Sequence, residues 1–451
     1  MMTLQLSDIA AAIDARLIGE DCPVSAVSTD TRQLSHGSLF VALRGERFDA
    51  HDFCEQAMAA GASALLVERE LPLAIPQLVV QDSLRGLGRL GRLLRQRVNP
   101  KVFAITGSCG KTTVKEMASA ILAREGKVLA TAGNFNNEVG VPLTLLRLEP
   151  GHDFAVLELG ANHPGEIAWT TSLALPDAAL INNVAASHLE GFGSLEGVFH
   201  AKSEIFEGVG KGGCAIVNAD NEFWPQWRER GLSCAFSIDD QRQPFHARDI
   251  VMNASGCAEF VMVTPQGEVA VTLAIPGRHN IGNALAGAAG CQALGASLTA
   301  IRDGLAAMAP VKGRFCVQRW GGLTLIDDTY NASVESVLAG IDALTNMAGY
   351  KVLVFGDMRE LGAESAEQHA RVGRHAKARG LDAVLCVGEE SRHTADAAGG
   401  RHFDNKASLY EVLATMIENH AEIAVLVKGA RGSRMEEIVE MVKHHQEQAQ
   451  C

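Results

Sequence analysis

The chain has 451 residues, 47% hydrophobic and 21% charged, which allows roughly three cored domains of about 150 residues and excludes a disordered chain. Its 53 acidic against 40 basic residues give a formal charge of −13, which argues against nucleic-acid or anionic-membrane binding through a broad positive field. Ten cysteines occur with no Cys-x-x-Cys, so neither a zinc ribbon nor a dithiol redox motif is expected, only reduced thiols.

In chain order, Asp8 and Asp14 occupy the first turns, and a basic-then-apolar leader pattern is missing, so a cytoplasmic protein is expected. Short β-branched runs alternate with amphipathic stretches, which predicts an α/β protein of three domains. The first, residues 1–98, has mixed α/β character, with strands at Val24–Ser28, Leu39–Leu43, Ala64–Val67 and Leu78–Val80. A helix from Ser83 to Arg97 follows, and its Arg85, Arg89 and Arg92 form either a solvated face or an anion site. Asn99-Pro100 ends that helix and serves as a linker.

The second domain, residues 99–312, opens on a buried strand at Lys101–Thr106. Further strands are expected at Val128–Thr131, Phe154–Leu159, Ala178–Asn182 and Ala215–Asn218, giving a parallel sheet. Phe260–Thr264 and Val269–Ile275 alternate like a small antiparallel sheet. The uncharged stretch from Asn280 to Ile301 is rich in Ala and Gly and includes polar residues, which predicts buried helices and no membrane insertion. The third domain, residues 313–451, alternates strands at Leu323–Asp327, Lys351–Phe355, Ala383–Val387 and Ile423–Val427 with helices. That pattern is Rossmann-like, although no Gly-x-Gly-x-x-Gly follows its first strand.

The strongest chemical signal is KVFAITGSCGKTTVKEM at 101–117. A buried strand runs into Gly107, Ser108, Cys109 and Gly110, and a helix begins at Lys111. Such a loop turns backbone N–H groups toward anionic oxygens, with the helix dipole behind them. Lys111 then meets the outer phosphates of a nucleoside triphosphate, and the Thr112 hydroxyl ligates Mg²⁺ beside Thr113. The loop is the short Gly-x-x-Gly-Lys-Thr form, because Ile105 stands where the standard loop has its first glycine. No Asn-Lys-x-Asp guanine motif occurs, which disfavours a GTPase. Glu158 ends an apolar strand, where a metal-binding acid is expected; a turn or cap is the plain alternative.

Ordered segments along the whole chain carry a more specific signal. They are STDTR at 28–32, LFVALRGERFDAHDF at 39–53, GNFNNEVGVPLTLL at 133–146 and ELGANHPGEI at 158–167. SHLEGFGS at 187–194, AKSEIF at 201–206, GRHNIGNALA at 277–286, KGRF at 312–315, DDTYNAS at 327–333 and GDMRELG at 356–362 follow. With the phosphate loop, this series resembles the Mur ligases of bacterial peptidoglycan synthesis. The resemblance is strongest to the member that joins D-alanyl-D-alanine to UDP-N-acetylmuramoyl-tripeptide.

The resemblance implies an ATP-dependent amide ligase working through an acyl phosphate. Lys111 and Thr112 would hold phosphates and a first Mg²⁺, and Glu158 and His188 a second. Lys202 would be carbamylated, turning a cation into an anion near the metal; a solvated helix lysine is the alternative, as a surface histidine is for His188. Asn280 and Asn283 would lie on the adenine side, unless they cap the Ala-rich helix. Arg314 and Asp328 would reach the nucleotide from the third domain, and Tyr330 and Asn331 the dipeptide.

Asn134, Asn136 and Asn137 would stand near the reacting carboxyl, with turn formation as the alternative. Thr29, Asp30, Thr31, Arg32 and Arg44 belong to segments that hold UDP in the family; for Arg44 a surface ion pair competes. The related ligase that adds the third amino acid carries Asp-Asn-Pro-Arg in its diaminopimelate-using members, and this chain has none. Folylpolyglutamate synthetase lacks the 28–53 segment, and a nucleotide-binding regulator without ligase activity is the reading from another class. No heptad pattern argues for assembly, so a monomer is expected.

Overall fold

A computed structural model describes residues 1–45, 48–187, 189–253 and 256–449. Among the described residues three larger sheets follow one another along the chain, beside one two-stranded pair. The first has five strands in the order 16–18, 77–79, 62–67, 38–41 and 26–28, parallel except for the antiparallel Arg16–Ile18 edge. The expected strand Val24–Ser28 is two pieces. Pro23–Val24 pairs with Leu4–Gln5, while Ala26–Ser28 joins the sheet, because Ser25 between them gives its N–H to the Gly37 carbonyl.

The central sheet has nine strands in the order 267–276, 257–264, 245–252, 234–237, 214–218, 178–181, 101–106, 154–158 and 128–130. Both of its faces are covered, and the interior strand Lys101–Thr106 shows why. Phe103 and Ile105 point into a core closed by helices Lys111–Leu122 and His279–Ala293, while Val102 and Ala104 point into a second core beneath helix Glu166–Ala174. The antiparallel pair Cys257–Thr264 and Gly267–Pro276 extends the parallel sheet at one edge.

The third sheet has six strands in the order 316–320, 323–328, 423–428, 350–355, 383–387 and 401–403, parallel except for the first. Among the described residues, no helix is long and apolar enough to cross a membrane.

Helix Ser83–Val98 joins the first two units, and Asn99 stops it in a left-handed conformation with φ +53°. The arginine stripe faces outward, with Arg85 4.1 Å over the Trp169 ring and Arg89 donating to the Ile13 carbonyl. The buried arginine is instead Arg95. It donates to the carbonyls of Ala174 at 2.8 Å and Leu175 at 2.9 Å, satisfying the C-terminal end of helix Glu166–Ala174. A Cβ on Gly88 of the same helix would stand 2.5 Å from the Trp169 ring, so only glycine allows this approach.

Candidate functional site

In a parallel sheet the side chains free to do chemistry lie beyond the carboxyl ends of the strands. Here the carboxyl ends of two sheets border one cleft of about 1210 Å³. Strands Lys101–Thr106, Phe154–Glu158 and Ala178–Ile181 deliver the phosphate loop, Glu158 and the pair Asn182-Asn183; strands Leu323–Asp328 and Ile423–Lys428 deliver Asp328 and Lys428 opposite.

The phosphate loop takes its shape from two glycines and a rank of asparagines. Gly107 and Gly110 have φ of +151° and +79°. A Cβ at Gly110 would come within 2.5 Å of Asn182 Nδ2 and 2.6 Å of Asn283 Oδ1. Asn183 accepts the Cys109 N–H at 2.9 Å, and Asn182 and Asn183 both donate to the Cys109 carbonyl at 3.0 Å. The Ser108 hydroxyl bonds Ala185 and receives Ser187 at 3.0 Å.

Asn280 and Asn283 lie inside helix His279–Ala293, and neither is its N-cap residue, which is Arg278. They form a buried relay: Asn280 donates to the Pro276 carbonyl, Asn283 to Asn280, and Asn182 to Asn283. The helix-cap alternative is therefore set aside, because a cap must precede the first helical turn.

Four side chains meet at the start of helix Lys111–Leu122. The Thr112 hydroxyl donates to Glu158 Oε2 at 2.9 Å, and Asn136 donates to Glu158 Oε1 at 2.9 Å. Arg314 reaches across from the third unit and donates to the Thr112 oxygen at 3.1 Å. Lys111 turns back to its own loop and donates to the Gly107 carbonyl at 2.6 Å. Burial pushes the Lys111 amine below its ordinary value; Glu158 opposes that shift and Arg314 adds to it. Lys202 also lines the cleft, with 2% of its surface exposed. Burial holds its amine well below the usual lysine range, and the nearby Lys111 cation adds to the effect.

On the opposite wall, Asp328 accepts the Phe315 N–H at 3.2 Å and the buried Lys428 amine at 2.5 Å, and Lys428 also donates to the Asn331 carbonyl. The Arg314 guanidinium stacks 4.2 Å over the Tyr330 ring.

Ser108, Cys109, Gly110, Lys111, Thr112, Thr113, Asn134, Asn136, Asn137, Glu158, Lys202, Asn280, Asn283, Arg314, Asp328, Tyr330 and Asn331 thus all border one cleft. Within this group Asn137 has a local duty, accepting the N–H of Gly140 at 2.8 Å where a helix begins. His188 lies outside the described residues. Thr29, Asp30, Thr31, Arg32 and Arg44 do not border this cleft. Asp30 and Arg32 pair with each other, and Arg44 stands 3.8 Å from Asp49 and 3.6 Å from Glu68.

Sequence reading passed over Asn182, Asn183, Lys428 and Arg431, all of which border the cleft. For all but Arg431 the usable signal was a polar residue ending or directly following an apolar strand, in AALINN at 178–183 and AVLVK at 424–428.

Among the described residues, no three His, Cys, Asp or Glu side chains cluster as a ready metal site. The Thr112–Glu158 oxygen pair nonetheless offers the hard donors that magnesium prefers.

Three family models match in chain order: "Mur ligase family, catalytic domain" over residues 23–85, "Mur ligase middle domain" over 105–291, and "Mur ligase, glutamate ligase domain" over 313–446. The UDP-N-acetylmuramoyl-tripeptide–D-alanyl-D-alanine ligase of Escherichia coli K12 is 51% identical over 450 residues, covering 99% of both chains. A crystal structure of MurF from Acinetobacter baumannii superposes with a TM-score of 0.93 at 36% identity, over 98% of each chain. The MurF ligase of Thermotoga maritima in complex with ADP gives 0.85 at 30% identity, over 94% of this chain and 99% of that one. The chain belongs to the Mur ligase family.

Proposed function

We propose that this protein joins D-alanyl-D-alanine to the terminal carboxyl of UDP-N-acetylmuramoyl-tripeptide at the expense of ATP, as a cytoplasmic monomer. Its three domains are taken as residues 1–98, 99–312 and 313–451. The observation that carries the reading is Thr112, on the phosphate loop, hydrogen-bonded at once to Glu158 of the same sheet and to Arg314 of the opposite domain. The full-length likeness to the E. coli ligase and to the T. maritima structure with ADP supports the substrate and nucleotide assignments.

A carboxylate is a poor acylating agent, so its oxygen first takes the γ-phosphoryl group and ADP departs. The dipeptide amine then attacks the carbonyl carbon, the C–O bond to phosphate breaks, and the amine's proton passes to solvent or phosphate. The protein's part is positioning and charge neutralisation. The loop amides from Gly107 to Gly110 and the Lys111 ammonium take the phosphates, with Thr113 beside them. Asn280 and Asn283 bracket the adenine side, and Arg314 and Asp328 hold the nucleotide from the other wall. Asn134, Asn136 and Asn137 face the reacting carboxyl, and Tyr330 and Asn331 the dipeptide. Thr29, Asp30, Thr31, Arg32 and Arg44 take the UDP end.

Thr112, Glu158, His188 and a carbamylated Lys202 would hold magnesium, which would supply positive charge to offset the triphosphate. Carbamylation suits Lys202 chemically. The neutral amine attacks carbon dioxide, an N–C bond forms and a proton leaves. Burial favours that neutral amine, and the nearby Lys111 cation adds to the effect.

The deciding experiment follows phosphate release with the product's mass. Release that requires both UDP-muramoyl-tripeptide and D-alanyl-D-alanine is expected; release without both, or with free amino acids alone, defeats the reading. For Lys202, a carbamate resonance from ¹³C-bicarbonate is expected in the wild type and none in Lys202→Ala. The variant should lose about 10²-fold or more in turnover and recover partly at high chloride. Wild-type protein without that resonance refutes the modification.

A further inference from the structure

Asp357 follows strand Tyr350–Phe355 and is 6% exposed. Its carboxylate accepts three backbone N–H groups from the loop after strand Ala383–Val387: Ser391 at 2.8 Å, Glu390 at 3.1 Å and Glu389 at 3.2 Å. A Cβ at Gly388 would come within 2.2 Å of this carboxylate, so the loop closes on it only with glycine there. The Asp357 carbonyl accepts the Ala430 N–H at 2.8 Å and the Ser433 hydroxyl at 3.1 Å, from the loop after strand Ile423–Lys428. One buried residue therefore ties together the loops at the ends of three strands.

Two of those loops form a wall of the cleft. Arg359, Glu360 and Leu361 border it, starting two residues after Asp357, as do Ala430, Arg431 and Gly432. Arg431 stands 6.0 Å from the Tyr330 ring, on the side assigned above to the dipeptide. On the nucleotide side, Asp328 leans on Lys428 and Arg314 donates to Thr112, contacts that do not involve Asp357.

We propose that Asp357 is a positioning residue for the acceptor amine: it fixes the wall carrying Arg359 and Arg431 beside Tyr330, and so sets affinity for the dipeptide without touching it. This rests on the reading that the wall receives D-alanyl-D-alanine. A carboxylate receiving three N–H donors is a charge-assisted arrangement. Asparagine has the same shape and keeps one oxygen for the Ser391 and Glu390 N–H groups, but it turns its NH2 toward the Glu389 N–H, so it opposes the loop there without emptying the space.

Steady-state kinetics on the full chain test this with Asp357→Asn and the milder Ser433→Ala. In Asp357→Asn the KM for D-alanyl-D-alanine rises about tenfold, in line with one lost buried hydrogen-bond arrangement, while the KM values for ATP and UDP-muramoyl-tripeptide stay within about twofold. Ser433→Ala moves the dipeptide KM in the same direction by less. An unchanged dipeptide KM, or three KM values rising together, overturns the proposal. If Asp357→Asn does not fold, Ser433→Ala decides by the same criterion. Wild-type protein that fails to use both substrates together refutes the functional reading itself, an outcome distinct from a missing split in the variants.

Discussion

The phosphate loop and the segment at 28–32 were both expected to bind phosphate-bearing groups, yet they are built differently. The loop is main chain held between a buried strand and a helix, with Asn182, Asn183 and Asn283 packed behind it. Its shape is fixed by the core. The segment at 28–32 is a surface turn in which Asp30 caps a short helical turn and clasps Arg32, whose side chain is 84% exposed. Its charges are turned on one another. A cradle of amides is set by tertiary packing, whereas a cluster of surface side chains is held only by exchangeable ion pairs.

That contrast breaks most directly at Lys111. Lys111→Ala should lower turnover by about 10³-fold, as expected for one lost contact to a transferring phosphoryl group, with the melting temperature unchanged. Phosphate release and calorimetric unfolding measure the two sides. Equal losses of activity and stability would mean that the loop is not preformed.

Gly110→Ala sharpens the same point through shape. An alanine at φ +79° is strained, and its Cβ meets Asn182 and Asn283, so ADP affinity should fall by roughly 10–100-fold. Titration calorimetry with Mg·ADP gives the value, and wild-type affinity would show that the asparagine rank yields.

The smallest effect belongs to the surface segment. The Arg32 guanidinium holds the Asp30 carboxyl at about 2, below its ordinary 3.8. A depressed carboxyl contributes stability above pH 3.8 and loses it as pH falls through about 2. Because both groups are exposed, Arg32→Ala should leave the melting temperature at pH 7 unchanged. It should return the Asp30 midpoint toward 3.8 in an NMR titration and raise the KM for the UDP substrate. A midpoint that stays near 2 would mean that the turn's N–H groups, and not Arg32, hold the charge.

Local patterns announced the parts of the molecule that local interactions build. Lys101–Thr106 and Ala383–Val387 were readable to the residue because an apolar run ends at a turn in each. The loop Gly107–Gly110 was readable because its glycines and Lys111 sit in one short string. What stayed hidden depends on strands far apart in sequence. Asn182 and Asn183 matter only because strand Ala178–Ile181 lies beside Lys101–Thr106, and Lys428 only because Ile423–Lys428 lies beside Leu323–Asp328. Arg95 looked like one more arginine on a basic helix, since nothing local marks which of them will meet the end of another helix. Asn137 shows the reverse case, where the ordinary turn duty of an asparagine is present at the edge of the cleft.

The seat of Arg95 and the bare glycine at position 88 have a practical corollary for anyone dissecting this chain. Cutting at the Asn99-Pro100 junction would strip the cover from Trp169 and leave the carbonyls of Ala174 and Leu175 without their guanidinium donor. The remainder would carry a sticky aromatic scar and a frayed helix end. The amino-terminal unit is thus a fitted cap on the nucleotide-binding unit, and shortening the protein from that side trades solubility for size.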